Sequence, residues 1–422
     1  MRVPRRRWLL SVGLILALVG VACGGGATAI DSSSPTATTP PDAGTTPDPT
    51  PKSPPTPEPV PTLPAGFDPV RYFDNGFGSY KWKTDFSKFS VNLREIISGG
   101  PPRNGIPPIN NPKYLPTDPS PEWLKDTHPV ISLEVNGEAR AYPLQIMIFH
   151  EIVNDTVGGV PVLITFCPLC NTAIAFDRTV DGEVLEFGTS GFLRFSDLIM
   201  WDTKTESFWQ QITGGAIVGE MTGKKLKFLP APIVSWEDFR TTFPGGVVLS
   251  RDTGFSRNYD RPPYKGYDEF GVSPFLFRGP DDPRLPPNER VITVSIGDED
   301  VAYPFTVMAE VRVVNDVVGG QDVAVFWSPG TQSAFDNFEG IQREIGASGV
   351  FDPHVDGRKL TFKAVGFGGE IVDVETGSQW NVLGLAVSGP LEGTQLEPIL
   401  HANHFWFSWA VFKPDTRIFR AE

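Results

Sequence analysis

Cysteine is almost absent: the 422-residue chain has three, together with five histidines and five methionines. A disulfide framework of the kind that staples small secreted domains is therefore excluded, and any metal or redox chemistry draws on very few soft side chains. No Walker-type phosphate loop, no G-x-G-x-x-G after a strand, no G-x-S-x-G elbow and no H-E-x-x-H pair occurs. Common nucleotide, dinucleotide, serine-hydrolase and zincin chemistries are disfavoured, and no nucleotide cofactor is expected. Positive charge is also short, with 36 Lys and Arg against 50 Asp and Glu. That balance argues against a nucleic-acid partner.

The chain also lacks an apolar run long enough to cross a membrane comfortably. Its longest mostly apolar stretch, Trp8 to Ala22, follows the arginine-rich start Met1-Arg2-Val3-Pro4-Arg5-Arg6-Arg7 and reads as a secretory signal. The stretch ends at Gly20-Val21-Ala22-Cys23, which resembles a bacterial lipoprotein signal, although Gly20 stands where an aliphatic residue is preferred. The expectation is a signal over residues 1–23 and a lipoprotein anchored in the membrane through a lipidated Cys23, extracytoplasmic, at the cell surface or in the periplasm. Losing the signal removes four arginines and no acid, taking the net charge from −14 to −18. Residues 24–65 follow, with 12 prolines between Asp31 and Pro64. They read as a disordered stalk, since such composition cannot bury enough apolar surface to offset its ordering entropy.

What is present is a duplication. Ala141-Tyr142-Pro143, Val153-Asn154-Asp155 and Gly158-Gly159 recur, 161 positions on, as Ala302-Tyr303-Pro304, Val314-Asn315-Asp316 and Gly319-Gly320. Beyond them Phe176-Asp177 is matched with Phe335-Asp336, Gly188-Thr189-Ser190-Gly191 with Gly346-Ala347-Ser348-Gly349, and Asp202 and Trp209 with Asp373 and Trp380. The expected fold class is α+β, mostly β, an internally duplicated unit forming two similar lobes of short strands with a few short helices. The expected organisation is an irregular wrapping arm over 66–127 with one short helix near Ser87 to Ser98, a first repeat over 128–249, a crossover over 250–288 and a second repeat over 289–422.

Within repeat one, Asn136-Gly137 predicts a tight hairpin between Val130 and Tyr142. A helical turn is expected at Leu144 to Glu151, and strands at Val160 to Phe166, Thr172 to Asp177, Val184 to Phe187 and Asp197 to Trp201. A helix over Trp236 to Phe243 is capped by Ser235 with Asp238. In repeat two the expected elements are a hairpin over Val291 to Tyr303, a strand over Val323 to Trp327 and a closing helical segment from Asn403 to Phe412.

Shared residues read as scaffold, and unshared ones as candidates for function. Only repeat one has Cys167-Pro168-Leu169-Cys170, whose place in repeat two is taken by what reads as a shortened segment, Ser328-Pro329-Gly330. His150 aligns with Val311. His401 and His404 precede Trp409, where repeat one, aligned on Trp236, has Phe228 and Ala231. A C-x-x-C after a buried strand sets two sulfur ligands within one turn. One such pair is half a metal site, so His150, then His404 and His401, are candidates to complete a shell for one copper or zinc ion. On a helix, His401 and His404 would share a face. Two other readings stay open: a thiol-disulfide or electron-transfer pair, and an inert disulfide in a cell-surface binding module. In the crossover, the arginines and tyrosines between Ser250 and Tyr267 are candidates to line a polar cleft.

His150-Glu151-Ile152-Val153-Asn154-Asp155, Cys167-Pro168-Leu169-Cys170-Asn171-Thr172-Ala173, Gly188-Thr189-Ser190-Gly191 and Ser196-Asp197-Leu198-Ile199-Met200 together resemble DUF3179, a bacterial and archaeal family of exported proteins of unknown function. The likeness runs from about Asp126 to Arg420, with Phe149 where a tryptophan is expected. It implies no activity, so whether the protein is an enzyme, and what small molecule or protein it meets, stay open.

Overall fold

The first hairpin forms where the turn chemistry puts it. Asn136 and Gly137 both take positive φ, at 52° and 82°, and join Pro129–Val135 to Glu138–Pro143 in antiparallel register. In the computed structural model, which describes residues 61–63, 65–74, 81–340, 342–366 and 368–421, this hairpin lies in a sheet with Ile233–Ser235 on one side and Val247–Leu249 on the other. Val247–Leu249 runs parallel to Glu138–Pro143, setting Val248 against Ala141. Repeat two builds the same sheet from Arg290–Ile296, Glu299–Pro304 and His401–Phe405, with Arg417–Ile418 parallel and Ile418 against Ala302. The chain is an internally duplicated, mostly β structure with a few short helices. The signal, Cys23 and nearly all of the stalk lie outside the described residues.

The shared residues are the hydrogen-bonding skeleton of each copy. The Tyr142 hydroxyl donates to Asp155 at 2.6 Å and that of Tyr303 to Asp316 at 2.7 Å. Asp202 accepts from the Thr205 and Ser207 backbones and from Trp209 Nε1 at 2.9 Å. Asp373 accepts from Thr376, Ser378 and Trp380 Nε1, the last at 3.0 Å. Gly158 and Gly319 lie at φ 52° and 56°, and a Cβ there would meet the carbonyl oxygens of Val135 and Ile296 at 2.1 and 2.3 Å, which is why glycine recurs. Asp202→Ala and Asp373→Ala are each expected to lower unfolding free energy by about 2–4 kcal/mol, since each strands a buried tryptophan N–H and two backbone donors. Urea denaturation of the two variants measures this, and a loss confined to one copy contradicts equivalence.

Strand register corrects several sequence matches. Cys167 pairs with Thr172 and Leu163 with Phe176, while Ser328 pairs with Ala347 and Ala324 with Phe351. Phe176-Asp177 therefore answers Phe351-Asp352, not Phe335-Asp336. Gly188 to Gly191 lie in Phe187–Arg194, whose counterpart is Phe362–Val365, because Phe187 faces Asp202 as Phe362 faces Asp373. The segment replacing the cysteine turn is lengthened, not shortened: residues 329–346 stand in place of 168–171. The extra loop crosses to repeat one, burying Ala334, Phe335 and Phe338 in its core.

Other boundaries shift for local reasons. Near Ser87 to Ser98 there is a 3₁₀ turn, Leu93–Glu95, capped by Asn92 and followed by the strand Ile96–Ser98 on the edge of Phe187–Arg194. The expected strand over Val184 to Phe187 is two elements, Glu183–Val184 and the longer Phe187–Arg194. The helix Trp236–Thr242 has the capping box of Ser235 and Asp238. In repeat two the closing helix is only Trp406–Ala410. His401 and His404 precede it in a strand that sets His404 opposite Val291, as Val234 sits opposite Val130. Their counterparts are thus Ala231 and Val234, and Trp406 answers Trp236. Side chains alternate along a strand, so residues three apart point to opposite faces and share none. Among the described residues no helix is long and apolar enough to cross a membrane.

Candidate functional site

Val160–Cys167 ends on the first cysteine, which caps a single 3₁₀ turn, Pro168–Cys170. Pro168 suits its first position, and Asn171 closes the turn at φ 50° before the chain returns as Thr172–Asp177. Both sulfurs thereby face the same core, 2% and 0% exposed, as free thiols. Cys167 Sγ lies 3.6 Å from the Ser196 carbonyl oxygen, and Ser408 Oγ donates to the Cys170 carbonyl at 3.3 Å.

The third member is Asp197. The sulfurs of Cys167 and Cys170 and a carboxylate oxygen of Asp197 lie within 4.8 Å of one another. Asp197 arrives through the hairpin of Phe187–Arg194 with Asp197–Asp202, whose two-residue turn is Phe195-Ser196, at φ 54° and 67°. Such a turn favours Asn-Gly, so building it from Phe and Ser stores strain on the order of 1 kcal/mol or more per residue. In repeat two the hairpin ends earlier, at Val365 opposite Glu370, so this tip has no counterpart. One Asp197 oxygen accepts from Gln210 Nε2 at 2.5 Å and from the Ile212 N–H at 3.0 Å, while Oδ1 is buried without a well-formed hydrogen bond among the described residues and the Cys170 thiol approaches the carboxylate.

Four acidic groups gather here, and burial disfavours the charged form of each. Burial pushes the Asp197 carboxyl up to about 7, with its backbone and side-chain donors pulling the other way. Glu151, 7% exposed at the end of Leu144–His150, is pushed up to about 8 by burial and then by Asp197. Burial also raises both thiols, and the neighbouring carboxyls add to the rise. Above the thiols sit Tyr264 and Tyr267 of the crossover, both pushed well above the usual phenol range chiefly by burial; Tyr264 also feels Glu151 and Cys167, and Tyr267 both cysteines. The Tyr267 hydroxyl accepts from the Phe275 N–H at 3.0 Å, and Ser196 Oγ donates to the Phe275 carbonyl at 2.6 Å, tying crossover to hairpin tip.

Repeat two is the internal control. The turn at Glu151, φ 58°, recurs at Arg312, φ 65°, with the same backbone bond to Met147 or Met308, so the left-handed backbone belongs to the scaffold. The side chains differ. Where repeat one has Glu151 and Cys167, repeat two has Arg312, lying over Trp327, and Ser328. Every acid and thiol of the cluster is confined to one copy.

The histidines stand outside this group. His150 Nδ1 faces the Pro107 carbonyl and Nε2 the Tyr259 hydroxyl, each at 2.8 Å, and Tyr259 in turn meets Thr253. The crossover residues between Ser250 and Tyr259 thus close over His150. His404 Nδ1 lies 2.7 Å from Thr172 Oγ1, and its ring stacks on Trp409. His401 Nδ1 lies 2.8 Å from the Ile399 carbonyl, while its buried Nε2 has no hydrogen-bond partner among the described residues. The cysteines were legible from sequence; Asp197 was not singled out, although it stands in one of the family-like motifs and in the one long hairpin repeat two lacks.

A family model described as "Protein of unknown function (DUF3179)" matches residues 103–416. Comparison with curated proteins and with solved structures gives no match.

Proposed function

The chain belongs to the DUF3179 family, whose description assigns no activity, so the reading rests on the site, and we propose that the protein binds one metal ion, zinc before copper, through Cys167, Cys170 and Asp197. The observation that carries it is the convergence of two thiols with a buried carboxylate whose Oδ1 has no well-formed hydrogen bond among the described residues. A cation would remove the cost of ionising them together. Donor atoms on a tetrahedral zinc lie roughly 3.4–3.8 Å apart, which the cluster meets by closing slightly. A carboxylate beside two thiolates suits zinc better than Cu(I), which prefers all-soft ligands. Three protein ligands leave a fourth position open, the arrangement of reactive rather than purely structural zinc. The thiol-disulfide reading has less support, because burial and neighbouring acids hold both thiols protonated, whereas exchange needs a thiolate. With residues 1–23 read as a lipoprotein signal, the metal site would lie outside the cytoplasm, tethered through Cys23.

Elemental mass spectrometry tests this on the full chain, purified without oxygen or a histidine tag, incubated with zinc or copper and desalted. Close to one zinc per chain is expected, with Cys167→Ser and Asp197→Ala each weakening retention on the order of 100-fold or more. No retained metal in protein whose thiols titrate as free would sink the reading.

A further inference from the structure

A second feature also depends on the duplication but not on the thiols. A cavity of about 360 Å³ opens where the repeats meet, with Ile174, Ile212, Phe228, Trp409 and Phe412 among its apolar walls. That volume is at the lower end of the roughly 300–1,000 Å³ of small-molecule sites. Two features of its polar lining, which also includes Ser295 and His401, bear on what it could hold. His404, 1% exposed, lines it, and burial drives its imidazole down to about 3, so the ring is neutral. Thr172 Oγ1 lies 2.7 Å from His404 Nδ1 and 3.3 Å from the Cys170 carbonyl, so the ring spends Nδ1 on this bond. Nε2 is bonded to no described residue, and a ligand hydroxyl, which can donate or accept, suits it in either tautomer. The other feature is Lys225, exposed and without an ion pair among the described residues. Lys413 also lines the cavity, but Asp300 holds it at 3.0 Å. Lys225 thus offers, beside an apolar cavity, a positive charge not already held by an acid among the described residues.

We propose that this cavity binds a small aromatic anion with a hydroxyl at its far end: the body between Phe228 and Trp409, the anionic group toward Lys225, and the hydroxyl hydrogen-bonded to His404 Nε2. The counterparts of His401 and His404 in repeat one are Ala231 and Val234, so the duplicated scaffold does not supply this imidazole twice.

The probe is 6-hydroxy-2-naphthoate, titrated calorimetrically into the full chain. Saturable binding near one per chain is expected, weakened about tenfold in 2-naphthoate, which lacks the hydroxyl, and about tenfold in 6-hydroxy-2-naphthamide, which lacks the charge. Lys225→Gln, at an exposed position, is expected to weaken the naphthoate several-fold and leave the amide unchanged. Cys167→Ser is expected to bind as wild type does, so failure of the metal reading is distinguishable from failure of this one. No saturable binding, or equal affinity for acid and amide, or a Lys225→Gln chain that binds the acid as well as wild type, would overturn it.

Discussion

Asp197 and Glu151 should cost the metal-free chain stability as pH rises from about 7 to 8, above the range in which the buried histidines act with the opposite sign, and zinc should reverse that slope. Asp197 is held up to about 7 and Glu151 to about 8 in the folded protein, against ordinary values near 4. Below about pH 4 both groups are protonated in folded and unfolded chains, and neither contributes a penalty. Between pH 4 and 8 the unfolded chain has released protons that the folded chain retains, so each rise in pH favours unfolding, by up to about 1.4 kcal/mol per unit for each group. Above pH 8 the difference is constant. Solvent relaxation around buried acids reduces the total, leaving a swing on the order of a few kcal/mol. Zinc requires the ionised ligands, so its binding releases protons and tightens with pH. Denaturant melts at about pH 7, 7.5 and 8, with chelator or with zinc, should show slopes of opposite sign. Asp197→Asn keeps the oxygen that Gln210 and Ile212 need while removing the titration, and should flatten the chelator series. The same slope in that variant would remove Asp197 from the account.

Asp268→Ala should uncover the thiols. Asp268, 5% exposed, pairs with Arg290 and Arg343 and accepts from Ser333 Oγ at 2.7 Å. It lies one residue beyond Tyr267, and Arg343 and Ser333 belong to the loop that replaces the cysteine turn in repeat two. That loop thus clamps the segment carrying both site tyrosines: the Gly266 N–H donates to the Phe335 carbonyl at 3.1 Å, and the Tyr267 and Phe335 rings lie 6.2 Å apart. Arg290 is 10% exposed, and losing its counter-ion leaves a nearly buried charge, a cost of about 3–5 kcal/mol. Arg343, 40% exposed, adds little by comparison. Urea titration should show that loss, and a bulky disulfide reagent should reach Cys167 and Cys170 at least about tenfold faster under native conditions, through local opening. Thiols as slow as in the wild type, in a chain destabilised as expected, would mean the crossover is not their cover.

The differing legibility of these features has a physical basis. The Asn136-Gly137 hairpin, the Ser235 capping box and the cysteine turn rest on hydrogen bonds spanning two to four residues, so their residue types announce them. His401 and His404 sit among aromatics that suit a helix as well as a strand. Pairing with Arg290–Ile296, more than a hundred residues earlier, decided for the strand and set the two rings on opposite faces. Asp197 depends on a Phe195-Ser196 turn that carries no turn signature and holds its left-handed backbone only because strand pairing on both sides imposes it.

By itself the sequence determined the mostly β class, the duplication, the DUF3179 membership and the confinement of the cysteine pair to one copy, because each is written in local turn chemistry or in residues repeated at a fixed offset. Tertiary structure alone decided that Asp197 and not a histidine joins the thiols, that the second repeat's longer loop fastens the tyrosines above them, and that a cavity opens between the copies. Those depend on which strands pair across long separations, and pairing is settled by the packing of whole sheets rather than by any short stretch of chain.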